Sequence, residues 1–99
     1  MQLYLTQSAL EDLQQLKRYY AEQGVPDVGI ALVQRILHAL ELTLQHPELG
    51  RIVPEFNQPE LREILHPPFR LVYLRQAQQI QVVRVWRSER LLTLPDTTA

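Results

Sequence analysis

The sequence predicts an α+β fold in which an N-terminal short strand and an antiparallel helix hairpin pack on a C-terminal antiparallel β-sheet. Three observations carry that expectation. Apolar residues recur every three or four positions through two consecutive stretches of the first half. Gly24 and Pro26-Asp27 stand between those stretches, a helix stop and a restart so close together that the helices must fold back on each other. Beyond residue 60 the period changes to alternation, in runs rich in Val, Ile, Tyr and Phe.

Taken in order, Leu3, Tyr4 and Leu5 read as a short first strand. Ser8-Ala9-Leu10-Glu11 has the spacing of a capping box, so a helix is expected to begin there. Leu10, Leu13, Leu16, Lys17 and Tyr20 form its inner stripe, while Glu11, Asp12, Gln15 and Arg18 face water. The second helix is expected over residues 27–45, with Ile30, Val33, Leu37, Leu40 and Leu44 on one line and Leu32 and Ile36 beside it. So wide a face packs on both the first helix and a sheet. His46-Pro47-Glu48-Leu49-Gly50 closes it, because proline removes a donor and glycine permits a left-handed exit. A loop with Pro54, Asn57 and Pro59 follows, then strands at residues 61–65, 69–75 and 79–87, the last two joined across Gln76-Ala77-Gln78-Gln79. In the middle strand Phe69, Leu71 and Tyr73 share one face, and Arg70, Val72 and Leu74 the other. In the last strand Ile80, Val82, Arg84 and Trp86 alternate with Gln81, Val83, Val85 and Arg87. One sheet face is therefore expected to meet the helices, and the other to form a concave surface or an interface.

Residues 1–99 are expected to form one domain, since a chain of this size supports a single core, with residues 93–99 as a flexible tail. The absence of cysteine excludes disulfides and thiolate chemistry. No apolar run approaches the roughly 20 residues that cross a bilayer. Met1-Gln2-Leu3-Tyr4 lacks the basic start of a signal peptide, which points to the cytoplasm. No spacing of histidine and carboxylate suggests a metal site, and no cofactor motif is present. The formal net charge of −1 conceals a division. Residues 1–49 carry three cations against six carboxylates, whereas residues 50–90 carry seven arginines against four glutamates. The second half is thus basic through arginine alone, a side chain whose fork pairs with carboxylate or phosphate.

The candidate binding residues are accordingly Arg51, Arg62, Arg70, Arg84, Arg87 and Arg90, with Trp86 among them because tryptophan and arginine are enriched at binding hot spots. Each has a plainer reading beside it. Arg62 and Arg70 are equally suited to internal pairing with Glu55 or Glu63. Trp86, by its alternation with Ile80 and Val82, is equally suited to the core. His66, the one histidine of the basic half, is with Glu55 and Glu63 the candidate acid or base, or else a loop residue beside Pro67-Pro68.

Ser8-Ala9-Leu10-Glu11-Asp12-Leu13, the Tyr19-Tyr20 pair, His46-Pro47-Glu48-Leu49-Gly50-Arg51 with Pro54-Glu55, Leu61-Arg62-Glu63 and Phe69-Arg70-Leu71-Val72-Tyr73 together resemble the ParE branch of the RelE/ParE toxins. The resemblance implies the toxin of a type II toxin-antitoxin pair, a cause of growth arrest and plasmid stabilisation, wrapped and neutralised by a ParD-like antitoxin in a hetero-oligomer. In that family the ParE branch poisons DNA gyrase, whereas the RelE branch cuts messenger RNA on the ribosome. Two departures bear on the choice. Phe69 stands where the family usually has tyrosine, and Trp86 where it often has histidine. Metal-free RNA cleavage needs a base, an acid and cations for the phosphorane charge, and neither phenylalanine nor tryptophan titrates. Residues 50–90 also contain no lysine, unlike the RelE branch. The expected function is therefore gyrase inhibition by binding, without catalysis and without direct DNA binding by the toxin alone. The alternatives are a RelE-like endonuclease using Arg62, Arg70, Arg84 and Arg87 with Glu55 or His66, and a non-toxic antitoxin-binding module.

Overall fold

The computed structural model describes residues 1–87. The elements in chain order are β1 (Gln2–Leu5), α1 (Gln7–Glu22), α2 (Pro26–Glu41), a 3-10 turn (Leu42–Leu44), β2 (Arg51–Ile52), β3 (Leu61–His66), β4 (Phe69–Arg75) and β5 (Gln79–Arg87). The strands form one five-stranded sheet in the order β1-β5-β4-β3-β2. β1 runs parallel to β5 and the other neighbours are antiparallel, so the sheet is mixed. Two pieces join the expected meander: the first strand as a parallel edge, and the two-residue β2, which lies within what the sequence suggested was loop. The tail expected at residues 93–99 lies outside the described residues.

α1 is capped by Thr6 rather than Ser8: the Thr6 hydroxyl accepts from the Ala9 amide at 3.1 Å. Leaving β1, Thr6 still has the extended backbone that a cap requires, whereas Ser8 is already inside the first turn. The Thr6 hydroxyl also donates to the Val83 carbonyl at 2.9 Å, which ties the helix start to β5. The inner face of α1 is Ala9, Leu13 and Leu16 with half-buried Tyr20, while Leu10 and Lys17 of the expected stripe are exposed. Gly24, at φ +81°, ends the helix with paired bonds from Gly24 to Ala21 and from Val25 to Tyr20. Pro26 then opens α2 at its first turn.

α2 buries Gly29, Leu32, Ile36 and Leu40, so its inner line runs through Leu32 and Ile36, expected beside it, and Leu40, expected on it; Val33 and Leu37 of the expected line are half-buried against the core, and Ile30 is exposed. Gly29 sets this rotation. A Cβ there would lie 3.0 Å from the Tyr20 Cβ and 3.4 Å from the Lys17 Cα, so the glycine lets the two helices approach. The α-helix stops at Glu41, short of the expected residue 45, and tightens into the 3-10 turn, where the Thr43 hydroxyl donates to the Leu40 carbonyl at 2.5 Å.

Both sheet faces are packed. Leu13, Leu16, Leu32, Ile36 and Leu40 meet Phe69, Leu71, Val82 and Val85 on the helix side. On the other side Val53 and Leu61 cluster with Val72 and Val83, edged by Leu74 and Trp86. This second face is covered in part by the segment between β2 and β3 instead of standing open as a concave surface. Strand β5 carries a bulge. Val72 faces Arg84 but Tyr73 faces Val82, leaving Val83 as the additional residue. The bulge reverses the alternation beyond it, which puts Val85 rather than Arg84 on the helix side and Trp86 on the opposite face from Val82. Trp86 therefore edges the second cluster, a correction to its expected place with Ile80 and Val82.

One buried tyrosine anchors the segment that precedes β2. The Tyr73 hydroxyl donates to the Pro47 carbonyl and accepts from the Gly50 amide, each at 2.9 Å. Burial pushes its phenol above the ordinary tyrosine range. Gly50 is required there, because a Cβ would lie 2.5 Å from the Glu63 carbonyl oxygen.

Candidate functional site

The arginines of the basic half occupy three settings. The first is a charged chain on the face away from the helices. Glu63 lies on β3 opposite Arg51 of β2 and is only 1% exposed. An unpaired carboxylate so placed is strongly disfavoured. Both its oxygens are engaged: Oε2 by Arg51 Nε at 2.8 Å and Oε1 by Arg70 Nε at 2.5 Å. The remaining nitrogens of Arg70 grip Glu55 in a bidentate pair at 2.6 and 2.8 Å. The hydrogen bonds from Arg70 hold the Glu55 carboxyl well below the usual range, at about 2, and the two carboxylates raise Arg70 in turn. Arg70 is thus the centre of a four-residue network that fastens the segment after β2 to the sheet.

Arg62 clamps the chain just before β2 and just before β3. Its Nε donates to the Pro59 carbonyl at 2.9 Å and a terminal nitrogen to the Gly50 carbonyl at 3.0 Å. Both contacts are neutral, and a guanidinium suits them because its fork reaches two carbonyls at once.

The third setting is the edge of β5 beyond the end of β1. Thr6 there takes over from the strand, its amide bonding to the Val82 carbonyl at 3.0 Å. In the second turn of α1, the Asp12 carboxylate accepts from the Val85 amide at 3.0 Å and from Arg84 at 2.8 and 2.9 Å. Asp12 had been expected to face water. It instead substitutes for a strand partner and neutralises an arginine, a contact across 72 residues for which local spacing carries no signal. The Arg84 guanidinium lies 4.2 Å from the Trp86 ring centre and that of Arg87 lies 5.7 Å from Phe69. Among the described residues these side chains border a cleft of about 340 Å³ floored by Leu16, Tyr20 and Val85.

The expected binding residues are therefore divided rather than gathered. Arg51 and Arg70 share one network, Arg62 clamps backbone, and Arg84, Trp86 and Arg87 line the β5 edge; Arg90 lies outside the described residues. Arg75, which the sequence did not single out, reaches Glu48 at 3.6 Å. The alternative acid-base set is divided too. His66 pairs across strands with Phe69 and borders a groove against α2, on the helix side. Glu55 is held by Arg70 on the opposite face. The sheet lies between the two candidate proton-transfer groups. Among the described residues no three His, Asp or Glu side chains are grouped to hold a metal, and no helix is long and apolar enough to cross a membrane.

A strand, a helix hairpin and a mixed sheet stitched together by internal arginine-carboxylate pairs define a small α+β domain of the RelE/ParE kind. The chain belongs to the family described as ParE toxin of type II toxin-antitoxin system, parDE, whose model matches residues 3–92. Among solved structures it is similar to a chain described as the chromosomal ParDE TA system from P. aeruginosa. That chain is 26% identical, with a TM-score of 0.73, and the match covers 88% of this chain and 95% of the other. No curated protein matches.

Proposed function

We propose that this protein is a ParE-type toxin that inhibits DNA gyrase by binding, acts in the cytoplasm, and is neutralised by a cognate antitoxin. The family match is the observation that carries the reading, and the likeness to a chain of a ParDE system supports an antitoxin partner. The arrangement of titratable groups supports action by binding. Glu55, the acidic candidate for a base, is bidentately engaged and kept ionised near pH 2, and His66 stands across the sheet from it. A base works best with a pKa near the working pH and within reach of the proton it removes.

The decisive experiment is pulse incorporation of labelled thymidine, uridine and methionine within minutes of inducing the protein alone, followed by supercoiling and DNA-cleavage assays with purified gyrase. DNA synthesis is expected to fall first, with gyrase held in its cleaved-DNA state. Methionine incorporation falling first, with gyrase unaffected, would refute the proposal and turn attention to ribosomal RNA or messenger cleavage.

A further inference from the structure

The described sheet ends in β1 on one side and β2 on the other, and the two edges are unlike. β2 is two residues long, and its Arg51 is bound to Glu63 with 54% of the arginine side chain exposed, so brevity and charge guard that edge. β1 is four residues long, and residues 1–10 contain no charged side chain and no proline. The usual devices by which a sheet edge refuses a further strand are missing from it.

The register fixes which backbone groups face outward. The Thr6 amide bonds to the Val82 carbonyl at 3.0 Å, and Leu5 stands opposite Val82 in the parallel pair. Both main-chain groups of a strand residue point to the same side, and successive residues alternate. Tyr4, in phase with Thr6, therefore turns its groups toward β5, while Leu3 and Leu5 turn theirs away from the sheet. Among the described residues no strand lies on that outer side and no hydrogen bond reaches these groups. The side chains alternate the other way: Leu3 and Leu5 pack on the core, and Tyr4, 46% exposed, stands on the opposite face.

Such an edge is complementary to itself. Two copies of β1, antiparallel about a twofold axis at Tyr4, set Leu3 of one copy opposite Leu5 of the other. Each of these pairs then exchanges both of its bonds, so all four outward groups of each copy are satisfied within the strand. The two Tyr4 rings become directly opposed neighbours in the non-hydrogen-bonded pair, where side chains approach most closely. We propose that the protein forms a twofold homodimer through this edge, with β1 of one copy paired to β1 of a second copy and one sheet running through both. The contact is isologous and stops at two copies, because the edges left outermost are the guarded β2 strands.

The test is sedimentation equilibrium of the full-length protein over a range of concentrations. Wild type is expected at twice the monomer mass, with hydrogen exchange at the Leu3 and Leu5 amides slowed in the dimer. Tyr4→Lys sets like charges directly opposite each other and is expected to weaken association about 10-fold or more, whereas Tyr19→Lys, at a tyrosine of α1 53% exposed, stays within about twofold. Circular dichroism checks that the variants fold alike. Because the chain has no cysteine, Tyr4→Cys gives a reading that does not depend on stability. Opposed residues of a non-hydrogen-bonded pair lie about 4.5 Å apart at Cα, within disulfide reach, so mild oxidation is expected to cross-link Tyr4→Cys and not Tyr19→Cys. A monomer at every concentration would overturn the proposal. A dimer that Tyr4→Lys leaves intact and Tyr4→Cys fails to cross-link would overturn it equally, since the copies then meet elsewhere.

Discussion

Replacing Arg70 by methionine separates a structural arginine from a target-contacting one. The side chain is 10% exposed and supplies one bond to Glu63, whose own side chain has no exposure, and two to Glu55. Methionine keeps the stem but strips Glu63 of one of its two partners in a site closed to water. Breaking a buried pair by removing one member costs about 3–5 kcal/mol. Arg51, half exposed, still holds the other Glu63 oxygen, so the low end of that range, about 3 kcal/mol, applies. A domain of this size has in total about 5–15 kcal/mol, and such a loss lowers its melting temperature by on the order of 15 °C. Adding Glu63→Met is expected to recover most of it, because no orphaned charge remains and two apolar side chains fill the volume. Urea unfolding of the three proteins reads these values. A change below about 1 kcal/mol in Arg70→Met would refute the account of a buried, mutually dependent network. The same double variant separates fold from function. If it is stable and still arrests growth at equal soluble level, Arg70 serves the fold, whereas a stable but inactive protein would make its guanidinium a target contact.

Further consequences follow from the same contacts. Because the Glu55 pKa is lowered to about 2, its pairing stabilises the protein fully above the ordinary carboxylate range and is lost as pH falls from about 4.5 toward 2. Glu55 is 39% exposed, so the effect is discounted to about 1–2 kcal/mol. Parallel stability curves for wild type and Glu55→Gln across that window would rule the pairing out. Thr6→Val is expected to cost about 1–2 kcal/mol and Ser8→Ala under about 0.5, measured by thermal unfolding; the reverse order would restore the capping box at Ser8. Tyr73→Phe leaves the buried Gly50 amide without its acceptor and is expected to cost about 1–3 kcal/mol. Gly50→Ala is expected to cost at least as much, since its Cβ would meet the backbone of Glu63; a neutral effect in denaturant titration would show that this segment shifts freely.

The boundaries of β4 and β5, the hairpin turn at Gly24-Pro26 and the presence of two helices were legible in the sequence because they depend on local chemistry. Glycine and proline punctuate the backbone, and alternation or a period of 3.6 marks which residues lie on one side of an element. The same local patterns located the arginines and the motifs that resemble the family. What they missed is long-range. The rotation of α2 turned on a close approach at Gly29. The partner of Arg84 was an aspartate 72 residues away, and the face occupied by Trp86 depended on a bulge at Val83. β2 exists only because Arg51 and Ile52 find Glu63 and Arg62 beside them. By itself the sequence determined the order of the two helices and of every strand but β2, the hairpin and the arginine-rich character of the second half, since these follow from residue type and spacing. Tertiary structure alone decided which charges cancel, because neutralisation depends on distance in space: it brought Glu63, Glu55 and Asp12 against Arg51, Arg70 and Arg84, and gave Arg62 two neutral carbonyls instead.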